Sequence, residues 1–294
     1  MSSRILSSLQ ARYESLKVTV SNDAKSPQAA KFLIELTDMS LKFLEKTSVR
    51  VPLISLVPNK SYFSFSLKSG KQKTARAINE ALFDFKVRDR LNHILNNSLV
   101  TLPQEERKKL LYTTAMAFCC AIDLLKKGDQ KTPATYFECL IEHLLSRTFG
   151  INPRSEVEVL RLEEEASTLP TDLIFDLGPG KSKFHVPIKI STRERVIQVF
   201  AHQKVLDGVH GIGTFTGMLV CLTETKLDHT KNEVVEICLP KQWILYQRFI
   251  APIHRFYYFD LPKKYALLKT STPPMQVLSF SEFFDEAQSL TVPK

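Results

Sequence analysis

The sequence predicts an α/β (α+β) protein with a mixed central β-sheet flanked by helices and a mostly helical N-terminal region. Apolar residues recur at helical spacing through much of residues 1–130. Near residue 171 the pattern changes to the alternation that is typical of strands, and strand-like and helical segments then follow one another to the C-terminus. We therefore expect a helical region over residues 1–130 and an α/β core over residues 131–294.

The N-terminal helices are predicted from segments that repeat apolar residues every three or four positions. These segments are residues 27–47, 78–97 and 104–128. Gly128 is well placed to end the last of them, because glycine adopts the left-handed conformation that commonly follows a helix. Between the first two segments, Phe63, Phe65 and Leu67 alternate with serines, which predicts a short strand.

The C-terminal core begins with a predicted helix at residues 132–150, which has Pro133 in its first turn and Gly150 at its end. The charged stretch at residues 155–169 is expected to be a connector. Further strands are predicted at residues 171–177, 183–191, 217–225, 234–240 and 256–262. Further helices are predicted at residues 192–207, 241–255 and 280–288.

The composition favours a polyanionic partner. The 294 residues are 44% hydrophobic and 24% charged, as in an ordinary globular protein, yet the formal net charge is +9. Clustered Lys and Arg side chains displace counterions when they bind phosphates, so nucleic acid is the partner that we expect. A basic protein without such a partner is the alternative.

The cysteines and the apolar runs indicate the compartment. The five cysteines form no CxxC pair and lie in apolar runs, which argues against a zinc site and favours a reducing environment. No stretch approaches the ~18 consecutive apolar residues of a membrane span, and the N-terminus lacks the apolar core of a signal peptide. We therefore expect a cytoplasmic protein that does not enter a membrane.

Two side chains of opposite charge are expected to meet at the open end of a hairpin at residues 172–190. With Gly180 near the centre of the turn, Asp172 lies opposite Ile188 or Lys189, and the second register brings carboxylate and ammonium together. A simple ion pair is one interpretation. The other is a phosphodiesterase centre, in which Asp172 holds Mg²⁺ while Lys189 orients the attacking water and offsets charge on phosphorus.

The segment PTDLIFDLGPGKSKFHVPIKIS resembles the core of the PD-(D/E)XK nuclease superfamily, in which an Asp begins one strand of a hairpin and an acid-x-Lys lies on the next. The resemblance covers about residues 132–225 and implies Asp172 and Lys189 as catalytic residues with Mg²⁺ as the cofactor. The upstream helix is similar to the first core helix of the superfamily. This similarity implies Glu138 as a further catalytic and metal-binding residue and Glu142 as another metal ligand.

One position departs from the family pattern, because the acid expected two residues before the lysine is Pro187. One branch of the superfamily, the type II restriction endonucleases that cut CCGG, CCNGG or CCWGG sites, carries that acid on the following helix. The corresponding residues here are His202 and Gln203, so Asp172 has only the upstream glutamates as expected partners. A one-metal site or an inactive centre is the alternative. Gln203 is instead expected among the DNA contacts.

The same branch has an Arg-Glu-Arg cluster four residues after the catalytic lysine, and Arg193, Glu194 and Arg195 match it in order and offset. The resemblance implies that these side chains read base edges, since Arg can bond bidentately to guanine and Glu can accept from cytosine N4. A solvated first helical turn is the alternative, although the helix dipole does not favour arginine there. Ser191 and Thr192 are expected to cap that helix and to touch DNA phosphates.

These features together favour a type II restriction endonuclease that makes Mg²⁺-dependent, sequence-specific double-strand cuts in DNA. A palindromic site is best read by a two-fold symmetric dimer, so we expect a homodimer, with residues 1–130 supplying dimerisation or DNA contacts. A host must protect its own sites, which implies a cognate DNA methyltransferase in the same restriction-modification system. The alternatives are a non-catalytic basic DNA-binding protein and a structure-specific repair nuclease.

Overall fold

The computed structural model describes residues 2–69, 75–162 and 165–291. Residues 2, 3, 160–162, 165, 166 and 194 are described by their backbone alone. The chain divides into two compact units, Met1–Leu144 with Thr225–Ile237, and Leu145–Glu224 with Cys238–Lys294. The division therefore falls inside a helix rather than at the predicted boundary after residue 130, and one late hairpin belongs to the first unit.

The helices and strands are numbered in chain order. The helices are α1 (Ser2–Asn22), α2 (Pro27–Thr47), α3 (Asn92–Leu95), α4 (Gln104–Leu125), α5 (Lys131–Phe149), α6 (Val196–His210), α7 (Pro240–Phe249), α8 (Lys263–Ala266) and α9 (Phe280–Leu290). The strands are β1 (Ser48–Pro52), β2 (Ile54–Ser55), β3 (Tyr62–Leu67), β4 (Ile78–Asn79), β5 (Arg154–Leu162), β6 (Glu165–Asp176), β7 (Lys183–Val186), β8 (Ile188–Lys189), β9 (Phe215–Cys221), β10 (Thr225–Asp228), β11 (Glu233–Glu236), β12 (Arg255–Tyr258) and β13 (Val277–Ser279).

The first unit is built on long helices and two small sheets. Ser26 caps α2 by accepting a hydrogen bond from the amide of Gln28, and Pro27 suits the first turn because it has no amide hydrogen to leave unpaired. Helix α4 is buried over most of its surface and forms the centre of this unit's core. The sheets have the orders β1–β3–β4 and β10–β11–β2, and β3 confirms the short strand predicted from Phe63 to Leu67.

The helix predicted over residues 78–97 is wrong. The chain forms β4, a 3-10 helix at Phe85–Arg90 and the short helix α3 instead. Asn79 accepts a hydrogen bond from the amide of Ala81, and Asp84 accepts one from the amide of Lys86. These short polar side chains offer the backbone local partners that compete with continuous helical hydrogen bonds.

The second unit contains one mixed sheet with the strand order β13–β12–β9–β7–β6–β5, and β8 also pairs with β9. Strands β7 and β8 are two parts of one extended segment, interrupted at Pro187, which has no amide hydrogen for the ladder. The parallel pairs are β7 with β9, β8 with β9, β9 with β12, and β12 with β13. Strand β6 is antiparallel to both β5 and β7. With α6 packed on β5 and β9, and α9 packed on β12 and β13, the predicted α/β class with a mixed sheet is confirmed.

A long antiparallel pair replaces the connector predicted at residues 155–169, and that prediction is wrong. Strands β5 and β6 place Val157 opposite Leu169, and both side chains pack on a small buried cluster that includes Leu206 of α6. The neighbouring Glu156 and Glu158 are exposed. The charges of this segment therefore belong to the solvent-facing side of a strand, whose alternation they obscure in the sequence.

Aromatic packing holds the helices on the sheet of the second unit. Trp243 of α7 is fully buried and stacks on Tyr265 with ring centroids 4.0 Å apart. Phe149, at the end of α5, stacks on Phe184 of β7 at 5.0 Å. Among the helices within the described residues, none combines the length and the apolar composition that a bilayer crossing requires.

Candidate active site

The open end of the β6–β7 hairpin brings Asp172 and Lys189 into contact. Lys189 Nζ donates a hydrogen bond of 2.7 Å to Asp172 Oδ2, and the same oxygen accepts the amide hydrogen of Ile188 at 2.7 Å. The predicted meeting of the two charges is therefore present. The predicted register is wrong. Leu173 pairs with Val186, so Asp172 lies opposite Pro187 and not opposite Ile188 or Lys189. A shift of two residues leaves the faces of both strands unchanged, so Lys189 still reaches the carboxylate.

The sheet topology places this pair at an edge suited to a site. Lys189 ends β8, which runs parallel to β9, and β9 runs parallel to β12. The carboxyl ends of these strands therefore share one edge, and ligands of open α/β sheets commonly bind outside such an edge. The Lys189 and Asp172 side chains are 26% and 27% exposed, so the pair is held by the sheet and still accessible.

A pocket of about 200 Å³ opens over the pair. Its lining consists of Asp172, Lys189, Pro170, Thr171, Pro187, Gln198, Val199 and His202. His202, one of the two helix positions at which the sequence lacks the expected acid, thus faces the same space as the pair. Sequence reasoning did not identify Gln198, which lies one turn before His202 on α6 and could have been found from that spacing.

Gln203 lies behind the pocket and is 1% exposed. Its Nε2 donates hydrogen bonds of 2.9 Å to Asp207 Oδ1 and to the carbonyl of Phe215, and its Oε1 lies 3.1 Å from Nδ1 of the buried His185. Because Gln203 Oε1 can only accept, His185 carries its proton on Nδ1. Burial lowers the pKa of His185 to about 4, which keeps this ring neutral. Because Gln203 is buried, the structure gives no support to its predicted DNA contact.

The pocket fits a Mg²⁺ ion that takes few protein ligands. Both hydrogen bonds of Asp172 within the described residues end on Oδ2, which leaves Oδ1 for an oxygen-seeking cation. In the part of the chain that the structure describes, no three His, Cys, Asp or Glu side chains are grouped to hold a metal. Mg²⁺ is commonly bound by one or two carboxylates together with water and phosphate oxygens, so one carboxylate here is a sufficient start.

Glu138 and Glu142 lie one turn apart on α5, in the part of the helix that belongs to the first unit. Burial, and then the charge of Glu138, raise the pKa of Glu142 to about 7. The Glu142 carboxyl is therefore partly protonated at neutral pH, and a nearby cation would favour its ionised form. Both residues remain predicted metal ligands.

The Arg-Glu-Arg segment forms a 3-10 turn that leads directly into α6. Arg195 is exposed and Arg193 is partly exposed, while the side chain of Glu194 lies outside the described part of the structure. Ser191 and Thr192 are buried, at 8% and 0% exposure, so the structure gives no support to their predicted phosphate contacts. The prediction that Thr192 caps the helix is wrong, since its side chain makes no capping hydrogen bond.

The partner of Thr192 is Glu224, a fully buried carboxylate that sequence reasoning missed. Glu224 accepts hydrogen bonds from the amides of Thr192 and Arg193 and from the hydroxyls of Thr192 and Tyr258. Burial raises the pKa of Glu224, and the hydrogen bonds from Thr192 and Tyr258 oppose that change. The sequence did offer a sign of this residue, because Glu224 is an acid three residues after the last residue of β9, where the carboxyl ends of the strands meet.

Comparison with known proteins shows a likeness at the level of structure. No family model matches the sequence, and no curated protein matches it. The chain is similar to the type IIP restriction endonuclease Kpn2I, with a TM-score of 0.79, 23% sequence identity and coverage of 96% of both chains. A weaker similarity to the restriction endonuclease PspGI in complex with substrate DNA has a TM-score of 0.40 and 18% identity, and covers 68% of this chain and 79% of that chain. This protein thus has the fold of the type IIP restriction endonuclease Kpn2I along nearly all of its length, whereas the resemblance in sequence covered about residues 132–225.

Proposed function

We propose that this protein is a type II restriction endonuclease, which cuts both strands of duplex DNA at a short specific site by Mg²⁺-dependent phosphodiester hydrolysis. The observation that carries the proposal is the contact of Asp172 with Lys189 in an open pocket at the carboxyl edge of the sheet. A carboxylate and a cation fixed side by side are what metal-assisted attack on a phosphate requires. The shared fold with an endonuclease supports the same conclusion.

The proposed site residues would have different roles in the reaction. Mg²⁺, when bound, polarises the scissile phosphate and lowers the pKa of a bound water. Asp172 would hold the ion, with Glu138 and Glu142 as proposed further ligands. Lys189 would orient the attacking water and stabilise the negative charge that builds on phosphorus.

The Arg-Glu-Arg turn would supply sequence recognition. Arg193, Glu194 and Arg195 follow Lys189 closely in the chain, so base reading and cutting would be coupled through one short segment. Arg is suited to guanine and Glu to cytosine, which favours a site with adjacent G·C pairs. The formal net charge of +9 supports binding to the phosphate backbone.

The biological setting follows from this activity. We propose that the protein reads a palindromic site as a homodimer, with the N-terminal region contributing to dimerisation or to DNA contacts. It would act in the cytoplasm, together with a cognate DNA methyltransferase that protects the host's own sites.

A second candidate is a basic DNA-binding protein that does not cut. The residues Pro187, His202 and Gln203 favour it, because none supplies the second acid that a nuclease of this kind uses.

Incubation of the purified protein with phage DNA, with Mg²⁺ or with EDTA, tests the proposal. Discrete bands that require Mg²⁺ are expected, and sequencing of the ends would identify the site. A smear would indicate a structure-specific or non-specific nuclease. Intact DNA that still shifts on a gel would support the non-cutting alternative.

A further inference from the structure

We infer that Glu224 is a positioning residue, whose carboxylate fixes the backbone of Thr192 and Arg193 and so sets the direction of the base-reading side chains. The inference rests on the proposed function, because it assigns Glu224 to the recognition part of the same site. Glu224 itself is fully buried, so it acts on DNA only through the turn that it holds.

The Glu224 side chain continues the sheet beyond the end of its strands. Backbone pairing after β8 and β9 proceeds until the amide of Thr223 donates to the carbonyl of Ile190 at 3.0 Å. Beyond this point the amides of Thr192 and Arg193 donate to the Glu224 carboxylate and not to backbone carbonyls of a neighbouring strand. The amide of Thr192 lies 3.1 Å from both Glu224 oxygens, and the amide of Arg193 lies 3.2 Å from Oε2. The turn is therefore tied to the same rigid edge that presents Lys189.

The held segment has a conformation that needs support. Arg193 has φ +42°, in the left-handed region that residues with a side chain rarely adopt. The turn closes through a hydrogen bond of 2.8 Å from the amide of Arg195 to the carbonyl of Thr192. Because the backbone of Arg193 determines where its side chain points, the bonds to Glu224 select one direction among several.

The contact depends on the acceptor oxygens of the Glu224 side chain. The amides of Thr192 and Arg193 and the hydroxyls of Thr192 and Tyr258 all donate to Glu224, and the Tyr258 bond is 2.8 Å long. A glutamine in this place keeps one oxygen that can accept from both backbone N–H groups, and its amide group can donate to the two hydroxyls, so a test of the contact has to remove both acceptors. Burial of a carboxylate is unfavourable unless several donors satisfy it, so a purely space-filling role would not need this residue type.

The first arm of the test measures the turn without DNA. Glu224→Met keeps the approximate length of the side chain but removes both acceptor oxygens, and hydrogen exchange in peptides that span residues 190–196 should become at least about tenfold faster in the amides of Thr192 and Arg193. Tyr258→Phe is the matched control, because it removes one bond to the same carboxylate without touching the turn, and its exchange there should stay as in the wild type. Thr192→Val, which keeps both amide bonds, should give a smaller change in the same direction and decides the matter if Glu224→Met does not fold. Unchanged exchange in a folded Glu224→Met protein overturns the inference.

The second arm measures discrimination between DNA sites. The probes are a duplex that carries the site found by end sequencing and a duplex with one base pair of that site changed. Glu224→Met should reduce the ratio of cutting rates on the two duplexes at least about tenfold, which corresponds to about 1.4 kcal/mol of lost selectivity. Equal loss on both duplexes, or no loss, overturns the positioning role even if exchange is faster. A wild type that does not discriminate refutes the proposed function, and it does so independently of the exchange result.

Discussion

Replacement of Lys189 by alanine should separate the chemistry of the site from the stability of the fold. Lys189 Nζ lies 2.7 Å from Asp172 Oδ2, with about a quarter of each side chain exposed. An ion pair of this kind contributes about 1 kcal/mol or less, and Asp172 retains its hydrogen bond from the amide of Ile188. We therefore expect the free energy of unfolding to fall by at most about 1 kcal/mol and Tm by about 3 °C or less.

The rate of cutting should respond far more strongly. If Lys189 stabilises charge in the transition state, its loss should lower the rate at least about 10²-fold, as the loss of one preorganised electrostatic group does in other enzymes. Binding to the same DNA in EDTA should weaken only slightly, since one of many phosphate-facing cations is removed.

The hairpin offers a matched control at its other end. Lys183 Nζ lies 2.9 Å from Asp176 Oδ2, with the two side chains 35% and 31% exposed, which closely resembles the Lys189 pair. Lys183→Ala should therefore cost a similar small amount of stability and leave the cutting rate unchanged. The measurements are thermal unfolding, a gel-shift titration in EDTA, and single-turnover cleavage of a labelled duplex with Mg²⁺.

Two results would refute this reasoning. If Lys189→Ala cuts DNA within tenfold of the wild-type rate, Lys189 is not a catalytic residue. Equal loss of cutting in both alanine variants would show that the hairpin, rather than the ammonium group of Lys189, is what the reaction needs.

Two further predictions concern stability. The folded-state pKa of Glu142 is raised from 4.5 to about 7, so the protonated side chain stabilises the fold at low pH and this stabilisation is lost as pH rises through this range. Glu142→Gln should therefore be more stable than the wild type at pH 8 by up to about 3 kcal/mol, and little different below pH 4.5. Urea unfolding at both pH values tests this, and parallel pH profiles would contradict it. Gln203→Leu would leave His185 Nδ1 and the carbonyl of Phe215 without their partner, and should cost about 2–4 kcal/mol in the same assay. A cost below about 1 kcal/mol would show that the network is easily replaced.

Local periodicity was enough to determine most long helices and the central hairpin. Helix α2 has the predicted bounds, and α4, α5 and α9 lie within a few residues of theirs. The alternation of side chains placed Asp172 and Lys189 on compatible faces, and this remained true when the register proved to be shifted by two residues. The types of residue at these positions then indicated phosphate chemistry.

Periodicity misled where polar side chains served a local purpose. The charges around Val157 concealed a strand whose apolar partners lie on β6 and α6, far along the chain. Asn79 and Asp84 interrupted an apparently helical pattern by bonding to nearby amides. Both segments are indeed amphipathic or charged, but such a pattern does not reveal the partners that the folded backbone finds.

The sequence by itself determined the hairpin, its two charged residues and the basic turn that follows them. Only the tertiary structure decided which groups surround them: His202 and Gln198 in the pocket, Gln203 buried behind it, and Glu224 beneath the turn. The reason is physical. Glu224 and Thr192 are 32 residues apart in the chain. They meet because β8 and β9, which are connected through α6, pair in parallel, and no local spacing in the sequence specifies that pairing.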